Sequence, residues 1–150
     1  LVLRVAGRDN EELDRASDAV CTALQLTNFW QDVERDWHKG RLYVPLSDMR
    51  TCGARTEDLE TRRLTANWRD VLSLMADRTR VLYDEGRRVC DGVGGRLRFE
   101  LRMTWLGGRR ILDALERDRF DVFNRRPTLG AGDVAALAWG ALTWRASKGS

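Results

Sequence analysis

The segment QLTNFWQDVERDWHKG, residues 25–40, carries two amides, Gln25 and Asn28, and two carboxylates, Asp32 and Asp36. If the run is helical, about 100° per residue from Gln25 places Asn28 near 300°, Asp32 near 340° and Asp36 near 20°. The four then share an arc of roughly 80°, and Leu26, Trp30, Val33 and Trp37 form an apolar stripe between about 80° and 140°. Leu24 and Phe29 border the polar strip. A solvated face would be wider and richer in Glu, Lys and Arg, because Asn and Asp are poor residues in mid-helix. Asp32 and Asp36 are like charges one turn apart, which repel unless a cation lies between them. Carboxylate and amide oxygens are hard ligands that suit Mg²⁺, an ion that keeps several waters and completes its shell with substrate phosphates. The same spacing also suits a polar seam neutralised by neighbouring arginines.

The elements that must position these groups read as helices throughout. Only two prolines occur, Pro45 and Pro127, and apolar residues recur with a period near 3.6. Asp9 or Asn10 can cap a helix whose first turn carries Glu11 and Glu12, and the pattern runs through Lys39 to a stop at Gly40. RLYVPLSDM is a short extended connection, with Ser47 as the cap of a brief turn, and Thr56 starts the next helix. Longer patterns cover 65–91 and 96–118, separated by DGVGG. FDVFNRRPTLGAGD reads as a loop ending in Asp133, the expected cap of a last helix over 134–146.

The 150 residues suffice for one core, and 43% hydrophobic with 33% charged residues describes a soluble globular chain. No apolar run approaches a membrane span. The 26 Lys and Arg are interleaved with 23 Asp and Glu, leaving +3, so there is no polybasic arm and no case for nucleic acid. Cys21, Cys52 and Cys90 lack metal-ligand spacing and suit reduced cytosolic thiols.

The 23 residues ALQLTNFWQDVERDWHKGRLYVP resemble the second aspartate-rich motif of the squalene/phytoene synthase family, Q-L-x-N-x-x-x-D-x-x-x-D followed by Gly-Arg-aromatic-x-Pro. LRMTWLGGRRILDAL and RFDVFNRRPTL resemble the last helices of that family. Trp30, DWHKGR and WLGGRRIL are most similar to the hydroxysqualene/squalene synthases of bacterial hopanoid pathways.

The resemblance implies an all-α isoprenoid synthase helical bundle that binds Mg²⁺ (Mn²⁺ is the alternative) and prenyl diphosphates between two aspartate-rich helices. Asn28, Asp32 and Asp36 would be metal ligands, the two aspartates also serving as the catalytic pair. Arg41 and Arg126 would contact diphosphate, Gln25 would contact diphosphate or ordered water, and Tyr43 would stand near the cavity or in the core. Diphosphate leaves well only when its charge is neutralised, and the carbocation it leaves behind needs a dry cavity. The substrate would be presqualene or farnesyl diphosphate, with phytoene synthesis as the alternative. A helical scaffold that has lost the chemistry is the alternative from another class. No nicotinamide-binding motif is visible. A lipophilic product suggests peripheral contact with the inner face of the membrane and partner enzymes of the same pathway, the protein otherwise being cytoplasmic.

Three departures accompany the resemblance. Gln31 stands where the family commonly has Arg, and Gly108 stands where some members have a cavity tyrosine. No first aspartate-rich motif precedes residue 25. The expectation is therefore that residues 1–150 are the C-terminal part of a single domain, with an apolar face left exposed around Leu24 and Phe29. Gly107 and Gly108, inside a helical pattern, imply either close helix approach or room for a ligand. His38 is expected to be a solvated cation at a helix end, and Trp68, Trp105, Trp139 and Trp144 are expected in the core or packed between helices.

Overall fold

A computed structural model describes residues 11–145. Among the described residues the chain is all-α, without a strand: α1 Glu11–Gln31, α2 Val33–His38, α3 Leu46–Cys52, α4 Thr56–Glu60, α5 Ala66–Gly86, α6 Val89–Gly92, α7 Gly95–Arg117 and α8 Ala131–Leu142. The expected caps Asp9 and Asn10 lie outside the described residues, but Glu11, Glu12 and Asp14 fill the first turn of α1, where the helix dipole favours negative charge.

Several expected boundaries move. The helix expected to run unbroken to Lys39 is interrupted at Asp32, and Lys39 caps α2. Pro45, not Ser47, precedes the first turn of α3. The pattern over 65–91 divides into α5 and the short α6. Asp133 lies inside α8, not before it. Gly130 is the cap residue, and its N–H donates to Asp133 Oδ2 at 2.8 Å.

The fold comprises two compact units. One is built from residues 25–79 and 111–128. Its core includes Trp30, Val33, Leu59, Trp68, Leu72, Met75, Leu112, Leu115 and Phe123. Trp30 is 2% exposed, and its indole N–H donates to the Thr79 hydroxyl at 2.9 Å, which in turn donates to the Met75 carbonyl at 2.7 Å. A buried indole is thereby satisfied inside an apolar core. Trp68 donates to the Arg55 carbonyl at 2.8 Å.

After α7 the chain of this unit turns sharply through Arg119 and Phe120, at φ +54° and +56°. Left-handed backbone is unfavourable for such residues. Burial of Phe120, Val122 and Phe123 holds the turn in place.

The other unit takes residues 80–110 and 129–145 together with the start of α1. Tyr83 and Trp105 are buried in it, and the Trp105 indole donates to the Tyr83 carbonyl at 2.8 Å. The Arg87 guanidinium lies 5.2 Å from the Trp105 ring centroid and 4.0 Å from that of Trp144. Gly108 answers the question its sequence position raises. A Cβ there would collide with the Tyr83 hydroxyl and come within 2.7 Å of Leu24, so this glycine serves close helix approach. Trp139 departs from expectation, being 69% exposed on α8 beside exposed Val134 and Leu142. Leu24 and Phe29 are only half-buried, so the exposed apolar surface expected around them is instead most pronounced on α8. No helix among the described residues is long and apolar enough to cross a membrane.

Candidate functional site

The proposed ligands lie on consecutive turns at the junction of α1 and α2. Asp32 occupies the break between the two helices, with φ −109° and ψ 16°. Two backbone bonds nevertheless span the break. The Asp32 N–H donates to the Asn28 carbonyl at 2.9 Å, and the Asp36 N–H donates to the Asp32 carbonyl at 2.8 Å. Asn28, Asp32 and Asp36 are thus joined residue to residue through the backbone, one turn apart. Gln25 and Asn28 are exposed, and Asp32 and Asp36 are half-buried.

Burial along α1 and α2 differs from the expected stripe. Trp30 and Val33 are buried, but Leu26 and Trp37 are only half-buried. The small residues Ala16, Val20, Ala23 and Thr27 are buried instead, which turns the core-facing side of the helix away from the polar arc by more than the apolar residues alone suggest.

Arg41 reaches the arc through its backbone. Gly40, at φ +70°, turns the chain after α2, and the Arg41 N–H then donates to the Asp36 carbonyl at 2.8 Å. The Arg41 side chain is exposed. Two residues on, Tyr43 is 43% exposed and stacks on Phe29, with ring centroids 3.8 Å apart and planes 5° from parallel. His38 is exposed at the end of α2, as expected, and lies 3.8 Å from Glu34.

Arg126 arrives from the loop before α8. Its Nε donates to Asp32 Oδ1 at 2.7 Å and its Nη2 to Oδ2 at 3.1 Å, a two-pronged pair of the strong charge-assisted kind. This hydrogen bonding and the charge of Arg126, with smaller help from Arg35 and Lys39, hold the Asp32 carboxyl below its ordinary range against the opposing effect of partial burial. Two site residues named from sequence are therefore in direct contact.

Sequence reasoning missed the contacts of two neighbours, Gln31 and Arg62. Gln31 is 7% exposed, and its side-chain amide donates to the Pro127 carbonyl. Arg62 pairs with Glu34 at 2.5 Å and donates to the Phe123 carbonyl at 3.3 Å. A signal for Gln31 existed: it lies one turn after Thr27, on the side where α1 buries small residues.

The donor set is compatible with a hard divalent cation. Two carboxylates and one amide on successive turns supply part of a Mg²⁺ shell, leaving the remainder to water and phosphate. A carboxylate offers about four lone-pair positions, so Asp32 can hold Arg126 and still present oxygen to a metal. Arg126 already places positive charge there. Among the described residues no three His, Cys, Asp or Glu side chains converge, so a closed all-protein metal cage is not formed. A groove of about 510 Å³ lies elsewhere, lined by Glu12, Arg15, Asp84, Glu85 and Arg88 among others, and holds none of the candidate residues.

Comparisons with known proteins agree with the motif. A sequence model described as squalene/phytoene synthase matches residues 1–133. The chain is 30% identical over 128 residues to phytoene synthase 1 (chloroplastic) of Arabidopsis thaliana, covering 85% of this chain and 30% of that protein. It is 32% identical over 108 residues to phytoene synthase of Arthrospira platensis, covering 72% of this chain and 35% of that protein. Among solved structures, squalene synthase HpnC from Alicyclobacillus acidocaldarius superposes with a TM-score of 0.75 at 43% identity, over 79% of this chain and 45% of that one. A ligand-bound dehydrosqualene synthase shares the fold, with a TM-score of 0.77 at 21% identity, over 84% of this chain and 44% of that one. The chain thus spans about a third of the length of the curated relatives it matches.

Proposed function

The chain belongs to the squalene/phytoene synthase family, and we propose that the whole protein ionises a prenyl diphosphate, with these residues forming one part of its single synthase domain. The observation that carries this is the backbone-linked series Asn28, Asp32 and Asp36 with Arg126 fixed on its central carboxylate. When bound at that series, Mg²⁺ or Mn²⁺ would neutralise the charge of the departing diphosphate.

The protein's own residues do the rest. Asn28, Asp32 and Asp36 would hold the cation. Arg126 orients Asp32 and spends two of its five N–H donors on it, leaving others for diphosphate oxygens. Arg41, set beside Asp36 by the Gly40 turn, adds a second cation, and Gln25 extends the arc by one turn. The Phe29–Tyr43 stack supplies apolar surface next to the charged groups. Preorganised charge at the leaving group, with an apolar wall for the cation left behind, is the arrangement this chemistry needs.

The 43% identity to a squalene synthase favours squalene synthesis, for which our reading takes presqualene or farnesyl diphosphate as substrate and hopanoid synthesis as the setting. The phytoene synthases among the relatives favour a second reading, synthesis of phytoene. The test is turnover of a panel of prenyl diphosphates that includes presqualene and farnesyl diphosphate by the whole protein with Mg²⁺, with product identification. Asp32→Asn and Asp36→Asn preserve shape and should lower turnover by about two orders of magnitude or more, as loss of one electrostatic group from an active site does. Wild-type rates in either variant would remove the metal-ligand assignment. No turnover of any diphosphate by the wild-type protein would favour a helical binding protein without the chemistry.

A further inference from the structure

The departure at Gln31 has a structural counterpart. Where the family resemblance leads one to expect an arginine, the chain has a neutral amide that is buried and donates to the carbonyl of Pro127. The next residue along the helix, Asp32, holds the residue before that proline, Arg126. Adjacent positions 31 and 32 therefore grip adjacent positions 127 and 126, with one bond to backbone and one pair to a side chain.

The surroundings explain why this grip matters. Upstream, the loop is anchored by burial of Val122 and Phe123 and by Arg62 at the Phe123 carbonyl. Beyond Phe123, Asn124 and Arg125 are exposed, and residues 125–130 have no regular structure. The Arg125 N–H donates back to the Asp121 carbonyl at 2.8 Å, and the Gln31 bond at Pro127 ties the chain to α1 on the other side of Arg126. The Arg126 side chain is 33% exposed and donates to both carboxylate oxygens of Asp32.

We propose that Gln31 is a positioning residue: by holding the Pro127 carbonyl it fixes Arg126 against Asp32. The positive charge absent from position 31 is thereby supplied by Arg126. The consequence for ligand binding rests on the diphosphate reading given above, whereas the grip itself does not.

Gln31→Met keeps side-chain length and removes the donor, and Gln31→Leu serves if that variant does not fold. The metal-free whole protein is examined first by NMR of the Arg126 Nε–H, assigned by its loss in Arg126→Ala. A protected resonance in wild type that broadens or vanishes in Gln31→Met is expected. Binding of inorganic pyrophosphate with Mg²⁺ is then measured by calorimetry. Gln31→Met should weaken it about three- to tenfold, the scale of one neutral hydrogen bond. The double variant Gln31→Met/Arg126→Ala should bind no more weakly than Arg126→Ala alone, because Gln31 acts through Arg126. An unchanged Arg126 resonance in Gln31→Met, or additive losses in the double variant, would overturn the proposal. Wild-type protein that binds no pyrophosphate would overturn the ligand role and the diphosphate reading together, and the resonance would still decide the grip.

Discussion

Asp32 and Arg126 are 94 positions apart in sequence and are joined by two hydrogen bonds, of 2.7 and 3.1 Å, between the break after α1 and the loop before α8. One is a candidate metal ligand and the other a candidate diphosphate contact. Their pairing gives the carboxylate a cationic partner and fixes its orientation, as outer partners of metal-ligating carboxylates do.

A pH prediction follows from that pair. Arg126 holds the Asp32 carboxyl below the ordinary carboxylate range. A depressed folded value means that the pair contributes stability above the ordinary carboxylate range and loses it as pH falls through the lower folded value. In a carbon-13 titration of the side-chain carboxyls, the Asp32 midpoint should lie below that of an ordinary aspartate and should rise in Arg126→Ala. A midpoint unmoved by that substitution would mean that the pair does not form in solution.

Arg41 gives a kinetic prediction. Its backbone N–H, not its side chain, makes the 2.8 Å bond to Asp36, so Arg41→Ala should leave the turn after Gly40 intact. If the exposed guanidinium contacts diphosphate, kcat/KM should fall about ten- to a hundredfold, the worth of one charge-assisted contact. Unchanged kinetics would make Arg41 an ordinary surface cation.

How legible was all this in the sequence? The helical class and the polar arc followed from the 3.6 period and from residue choice at positions 25, 28, 32 and 36. The break at Asp32 did not, because Asp32 and Asp36 still bond back one turn, to the Asn28 and Asp32 carbonyls, and so keep the side-chain spacing across it. The buried side of α1 was misjudged because apolar size was taken for burial. Close approach of neighbouring elements buries Ala16, Val20 and Ala23, and leaves Leu26 half-buried. Arg126 could be named from the motif, but its partner could not, since a contact across 94 residues leaves no periodic trace. Gln31 registered only as a missing charge. Its actual role depends on a carbonyl, and every residue has one.

Thr79 gives a stability prediction. Thr79→Val preserves shape but removes the hydroxyl that accepts the Trp30 indole N–H at 2.9 Å. Both residues are almost fully buried, so the indole would be left unsatisfied in an apolar core. A loss of about 1–3 kcal/mol in urea denaturation is expected. A change below about 0.5 kcal/mol would mean that the indole finds another partner.

Gly108 gives the last prediction, and it separates close packing from a cavity reserved for ligand. Alanine is intrinsically favoured over glycine inside a helix by about 1 kcal/mol, so Gly108→Ala in open space would stabilise α7. Here a Cβ would strike the Tyr83 hydroxyl and lie 2.7 Å from Leu24 and 2.9 Å from the ring carbon that bears the hydroxyl. Tyr83 is fully buried, so its ring has no solvent to move into. Overpacking of this kind costs about 1–3 kcal/mol, which should outweigh the helical gain and leave the variant net destabilised. Tyr83→Phe removes the nearest clashing atom but keeps the ring carbon, so relief should be partial. The double variant Gly108→Ala/Tyr83→Phe should therefore lose less stability than the two single variants summed, measured by denaturant melts of all four proteins. Simple additivity would show that the glycine is not there to admit the tyrosine, and a stabilised Gly108→Ala would show that the space beside α7 is open.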